Sequence, residues 1–229
     1  MFRFKTVLAA LSAGAVLLTG LSANAAMVTV RDNPDNGGSV FADGLGRTIS
    51  VQYDGAQRNV GAGVFSLQYR ASGSDWTDFL TLCLQISERL TLPLDHERRR
   101  GTSYFDRQDA DLIGILYGHF FTGDHALRDA TSSAAVQAIV WEIAEDGATD
   151  FDLSEGTFQL LSDDVLTRAE EIWTAAISGV FEPIGFDVFE MTGTQDLLVS
   201  EVPIPGAIPL LFSGLAGLGF ASRKTRLSK

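Results

Sequence analysis

Phe79-Leu80-Thr81-Leu82-Cys83-Leu84-Gln85-Ile86 is the stretch on which the fold turns. A short, nearly uniform apolar run without Gly or Pro predicts a central strand, covered on both faces. Period-two alternation places Phe79, Thr81, Cys83 and Gln85 on one face and Leu80, Leu82, Leu84 and Ile86 on the other. Cys83 therefore shares the less apolar face.

Upstream, the pattern is also that of strands. Met27 to Arg31 alternates, and Arg47 to Tyr53 and Ala62 to Arg70 do the same, with Val64, Ser66, Gln68 and Arg70 opposite Phe65, Leu67 and Tyr69. Gly55 and Gly61 bracket the connection between the last two. Asp32 to Gly38 is a turn-rich loop; its Asp and Asn spacing approaches that of a calcium loop but lacks the full ligand series and the terminal Glu. Downstream, His96, Glu97 and Arg98-Arg99-Arg100-Gly101 read as a solvated linker.

Beyond that linker the period changes. Asp106 is an N-cap candidate ahead of a stripe of Leu112, Ile113, Leu116, Tyr117 and Phe120 that ends near Gly123. Thr131, Ser132 and Ser133 offer caps for a second helix, whose Val136, Ile139, Val140 and Ile143 face a core and which stops at Gly147. A third helix runs from Ser162 to Gly179, with Asp163 and Asp164 at its positive end. The loop from Asp146 to Glu155 reads as a solvated acidic rim. Gly185 to Glu190 and Asp196 to Ser200 close the pattern as a strand pair. Strands, then about three helices, then strands predict a single α+β domain: an antiparallel sheet or sandwich with a helical cluster.

Gln137 is the polar residue that stands out. It lies one helical turn from Trp141 and beside the Val136–Val140 stripe, so it is predicted to point inward, where an amide needs partners.

Both termini differ from this middle. Residues 1–25 carry Arg3 and Lys5, an apolar run from Val7 to Leu21 and a small-residue site at Ala23-Asn24-Ala25, the layout of a secretory signal peptide. Residues 26–201 then form the exported domain. Residues 202–229 begin Val202-Pro203-Ile204-Pro205, continue through an uncharged segment at 206–222, and end with Arg223, Lys224, Arg226 and Lys229. A basic cluster after an apolar run stops transfer and stays cytoplasmic, and 17 residues lie at the short end of the roughly 17–25 a spanning helix needs.

Charge follows the same partition. The whole chain carries −12, but the terminal segments hold six of its 17 basic residues and none of its 29 acids, so residues 26–201 are near −18. A surface of that sign repels nucleic acid and anionic lipid, which excludes a nucleic-acid partner. All the remaining bases are Arg; Lys occurs only at Lys5, Lys224 and Lys229. Cys83 is the only cysteine, so no internal disulfide forms and the fold rests on its apolar core. No cofactor, metal site or enzymatic turnover is expected.

The tail resembles the PEP-CTERM sorting signal of Gram-negative bacteria, in a VPxP variant where Ile204 replaces the usual Glu. The resemblance implies processing by signal peptidase and by an exosortase-type transpeptidase. It also implies an inner-membrane intermediate held through residues 206–222, and then a place on the cell surface or in the extracellular matrix.

A second resemblance rests on Leu82-Cys83-Leu84 and on Val136-Gln137-Ala138-Ile139-Val140-Trp141-Glu142-Ile143. These two segments are similar to the thioester domains of bacterial surface adhesins, in which a strand cysteine and a helix glutamine condense. The resemblance implies a Cys83–Gln137 thioester, with Trp141 near the family's aromatic position. Its targets would be amines of an extracellular polymer or surface protein. A lysine-free domain suits that chemistry, because it offers no side-chain amine to its own warhead. Two other readings stay open. One is a non-covalent structural or polymer-binding module with an inert Cys83. The other is a cysteine hydrolase using His96, His119 or His125 as base.

Overall fold

The computed structural model describes residues 27–121, 129–149 and 151–200. The segments read as signal peptide and sorting tail, including Val202, Pro203, Ile204, Pro205, Arg223, Lys224 and Arg226, lie outside the described residues, as does His125. No described helix is long and apolar enough to cross a membrane.

The α+β expectation is borne out. An antiparallel sheet of eight strands comprises β1 (Met27–Asp32), β2 (Phe41–Tyr53), β3 (Ala56–Ala71), β4 (Thr77–Thr81), β5 (Leu94–Arg100), β6 (Phe158–Leu160), β7 (Phe186–Glu190) and β8 (Leu197–Ser200). Its order is β6-β2-β3-β1-β5-β7-β8, with β4 also paired to β3. The helices are α1 (Gly101–Tyr104), α2 (Arg107–Ile115), α3 (Ala130–Glu145) and α4 (Asp163–Ala176), and a π-helical turn, Leu116–Phe121, extends α2. The β2–β3 hairpin turns through Asp54 and Gly55, both at positive φ, which is the two-residue Asp-Gly turn that matches strand twist.

Three expectations need correction. The predicted central strand at 79–86 is regular only through Thr81. Beyond it the chain leaves β3, and Cys83 makes a single antiparallel bridge to Leu197 of β8. The segment holding His96 and the three arginines is not a linker but β5, inserted between β1 and β7, with His96 fully buried. Its charges misled the reading because β7 supplies the acids that absorb them. Arg98 pairs with Asp187, and Arg99 reaches Glu190 at 2.5 Å. Third, α3 is not a one-sided amphipathic helix: every residue from Ser132 to Ile143 is buried. It packs against β2, β3, β6, α2 and α4, so it lies at the centre of the molecule.

Caps set the helix starts. Asp106 accepts from Asp109 N at 3.0 Å, as predicted. α3 starts one turn earlier than the sequence suggested, capped by Asp129, which accepts from Ser132 N at 2.8 Å. Ser162 precedes α4, yet its hydroxyl accepts from Ser50 N instead, tying the helix start to β2.

α2 is seated by a glycine. A Cβ on Gly114 would stand 2.4 Å from the carbonyl oxygen of Ile184, a backbone atom that cannot swing away. Gly114→Ala is therefore expected to destabilise by about 1–3 kcal/mol despite alanine's better helix propensity. A urea midpoint equal to or above the parent's would show that this contact yields.

Candidate functional site

The site forms where the sheet runs out of strand. β3, β1, β5, β7 and β8 follow one another in the sheet, and the chain after β4, which pairs with β3, meets β8 at the far end. The backbone ladder there is a single bridge. Leu84 N donates to Asp196 O at 2.9 Å and Leu198 N to Leu82 O at 3.0 Å, flanking Cys83 and Leu197. Those bonds use the peptide groups on either side of Cys83 and leave its own N–H and C=O directed away from β8. Both are buried, so both need partners.

Gln137 supplies them. Its side chain projects from α3 and mimics a neighbouring strand: Cys83 N donates to Oε1 at 3.1 Å, and Nε2 donates to Cys83 O at 2.7 Å. The pair of bonds clamps the carboxamide against the cysteine backbone. This brings the Cys83 thiol to 3.5 Å from Oε1, the oxygen on the carboxamide carbon. Both residues are sealed from solvent, Gln137 at 0% and Cys83 at 1% exposure. The two residues singled out in the sequence are thus brought together across 54 positions. The sulfur–carbon bond itself is not made in this structure, and Cys83 is a free thiol.

Trp141 stands one turn further along α3. It is 1% exposed and edge-on to Phe158 at 5.9 Å, and its indole N–H has no hydrogen-bond acceptor. Burial pushes the Cys83 thiol up to about 12, and the Trp141 side chain pulls in the opposite direction. At neutral pH the sulfur is a protonated thiol.

A cysteine hydrolase needs a base hydrogen-bonded to its nucleophile, and the hydrogen-bond partner of the Cys83 thiol here is Gln137. The described histidines are also occupied elsewhere. His96 Nδ1 faces Leu94 O at 3.2 Å, its buried Nε2 has no hydrogen-bond partner, and burial lowers its pKa. His119 Nε2 lies 2.9 Å from Glu182 O, its ring against Phe181.

Sequence reading missed the seam itself, because nothing in FLTLCLQI marks where β3 stops pairing. It also missed Glu142. This carboxyl is 1% exposed; Oε1 accepts from Asp152 N at 3.2 Å, and Oε2 has no partner. Burial, with Asp146 and Asp152 nearby, raises its pKa to about 8. A signal was available: Glu142 sits beside core positions in a helix otherwise uncharged from Ala130 to Ile143. Among the described residues no group of His, Cys, Asp and Glu is arranged to hold a metal ion.

No protein-family model matches the chain, and no curated protein matches it. Among solved structures, the N-terminal thioester domain of surface protein from Clostridium perfringens is similar over 76% of this chain and 98% of that one, with 10% identity and a TM-score of 0.44. A likeness at that level carries no argument about function, which has to rest on the site.

Proposed function

We propose that this is an exported surface or matrix protein whose Cys83 and Gln137 condense into an internal thioester for covalent attachment to amine-bearing partners, without turnover. The observation that carries the reading is the clamp. The Cys83 N–H polarises the Gln137 carbonyl, the Cys83 carbonyl orients the departing amide nitrogen, and the thiol of the same residue lies 3.5 Å from Oε1. Holding a nucleophile against the group it attacks removes much of the entropic cost of bringing the two together.

The step balances without a co-reactant. Sγ adds to Cδ of Gln137, the Cδ–Nε2 bond breaks, and the thiol proton leaves with the nitrogen as ammonia. Burial keeps water off the product. A primary amine then attacks Cδ, forming an amide while the sulfur departs and regains a proton. The absence of lysine between Lys5 and Lys224 protects the thioester from the protein's own side chains. Export by a signal peptide, sorting through a PEP-CTERM-like tail by an exosortase-type transpeptidase, and a Gram-negative host belong to the same proposal. They rest on residues 1–25 and 202–229.

Intact-mass measurement of the secreted protein tests it. The expected mass is short by one ammonia; methylamine adds once and releases one titratable thiol, and Cys83→Ala shows neither change. A full-mass chain whose thiol titrates at once on denaturation would overturn the thioester.

One observation favours the non-covalent reading. Phe151 stacks on Trp173 at 3.7 Å and 11°, in a cleft of about 380 Å³ that also holds Asp152, Ser154, Glu170 and Thr174. Aromatic faces beside carboxylates suit sugar rings of a polymer. Under that reading Trp173→Ala abolishes polysaccharide retention while Cys83→Ala leaves it intact.

A further inference from the structure

Trp141 and Gln137 are four residues apart on α3, which places them on one face of the helix, the face that Gln137 turns to Cys83. The indole N–H is buried at this position without an acceptor. Tryptophan offers a donor and no lone pair, so it can neither activate a water nor compete as a nucleophile. The N–H lies beyond hydrogen-bond geometry of any acceptor, and a neutral thiol is a weak one. A sulfur carrying negative charge is a much stronger one.

We propose that Trp141 is a catalytic residue of the thioester chemistry, its indole N–H stabilising charge on Cys83 Sγ when the sulfur attacks Gln137 and again when an amine displaces it. The inference rests on the thioester reading and assigns that site its charge-stabilising donor. The downward pull of Trp141 on the thiol agrees with it. Charge develops on sulfur in both directions of the reaction, so one buried donor serves formation and cleavage alike.

The test uses the secreted full chain. Trp141→Phe keeps an aromatic side chain and removes the N–H together with the pyrrole half of the indole. It is expected to slow methylamine cleavage of the thioester roughly tenfold, the effect of losing one hydrogen bond to a charged group. In a Gln137→Ala background the same change is expected to raise the pKa of the Cys83 thiol, which a merely structural role would not do. Should Trp141→Phe fold poorly, biosynthetic replacement of tryptophan by 7-azatryptophan preserves the shape while making the N–H more acidic. It is then expected to speed cleavage. Ammonia loss in the parent with unchanged cleavage rates in both variants overturns this inference alone. No ammonia loss in the parent overturns it together with the thioester.

Discussion

Gln137→Ala, made in a Cys83→Ser chain so that no thioester intervenes, is expected to cost about 3–5 kcal/mol of folding stability. Three effects add. The side chain's two hydrogen bonds to Cys83 are lost, at 3.1 and 2.7 Å in the native site. The backbone N–H and C=O of residue 83 are left buried and unpaired, since β8 bonds only to the peptide groups of residues 82 and 84. The amide's volume becomes a void at the centre of the molecule, because Gln137 has no exposed surface. A urea titration measures the sum. A loss below about 1 kcal/mol would mean that water or a backbone shift replaces the amide, and that Gln137 does not brace the seam.

Glu142→Gln is expected to stabilise the protein, and by an amount that depends on pH. The folded carboxyl titrates near 8, whereas an unfolded Glu titrates near 4.5. Below both values each state is protonated and nothing is lost. As pH rises from about 4.5 to 8 the unfolded state sheds its proton and the folded state does not, so stability falls; above 8 the loss is complete. A displacement of this size corresponds to a few kcal/mol, at most about 5. Glutamine removes the titration while still accepting from Asp152 N, and its amide N–H turns a partnerless oxygen into a donor among acids. Melting temperature measured from pH 5 to 9 should decline for the parent relative to the variant, with the two converging towards pH 5. Parallel curves across that range would show that Glu142 is ionised in the native protein.

The sequence made the architecture readable where local rules decide. Strand alternation in β1, β2 and β3, the Asp106 cap, and the pairing of the last two strands all followed from periodicity and turn chemistry. Gln137 was legible because an amide next to a core stripe is an anomaly. What was not legible depended on partners distant in the chain. β5 looks like a loop until Asp187 and Glu190 are placed opposite its arginines. Cys83 looks like mid-strand until the pairing of β4 with β3 is seen to stop at Phe65–Thr81. The Asp129 cap was missed because three further cap-forming residues, Thr131, Ser132 and Ser133, follow it closely. The seam, which makes the site, depends on where β8 meets the chain after β4 and has no signature in eight residues.

The bridge between Cys83 and Leu197 has a mechanical meaning. Any pull on the polypeptide beyond Ser200 enters the fold through β8, where Leu198 N and Asp196 O make the two backbone hydrogen bonds that flank Cys83. Gln137 is anchored on the opposite side, in a helix gripped all round. Tension would thus load the sulfur from one flank and its partner from the other, making the junction a place where force and reactivity meet.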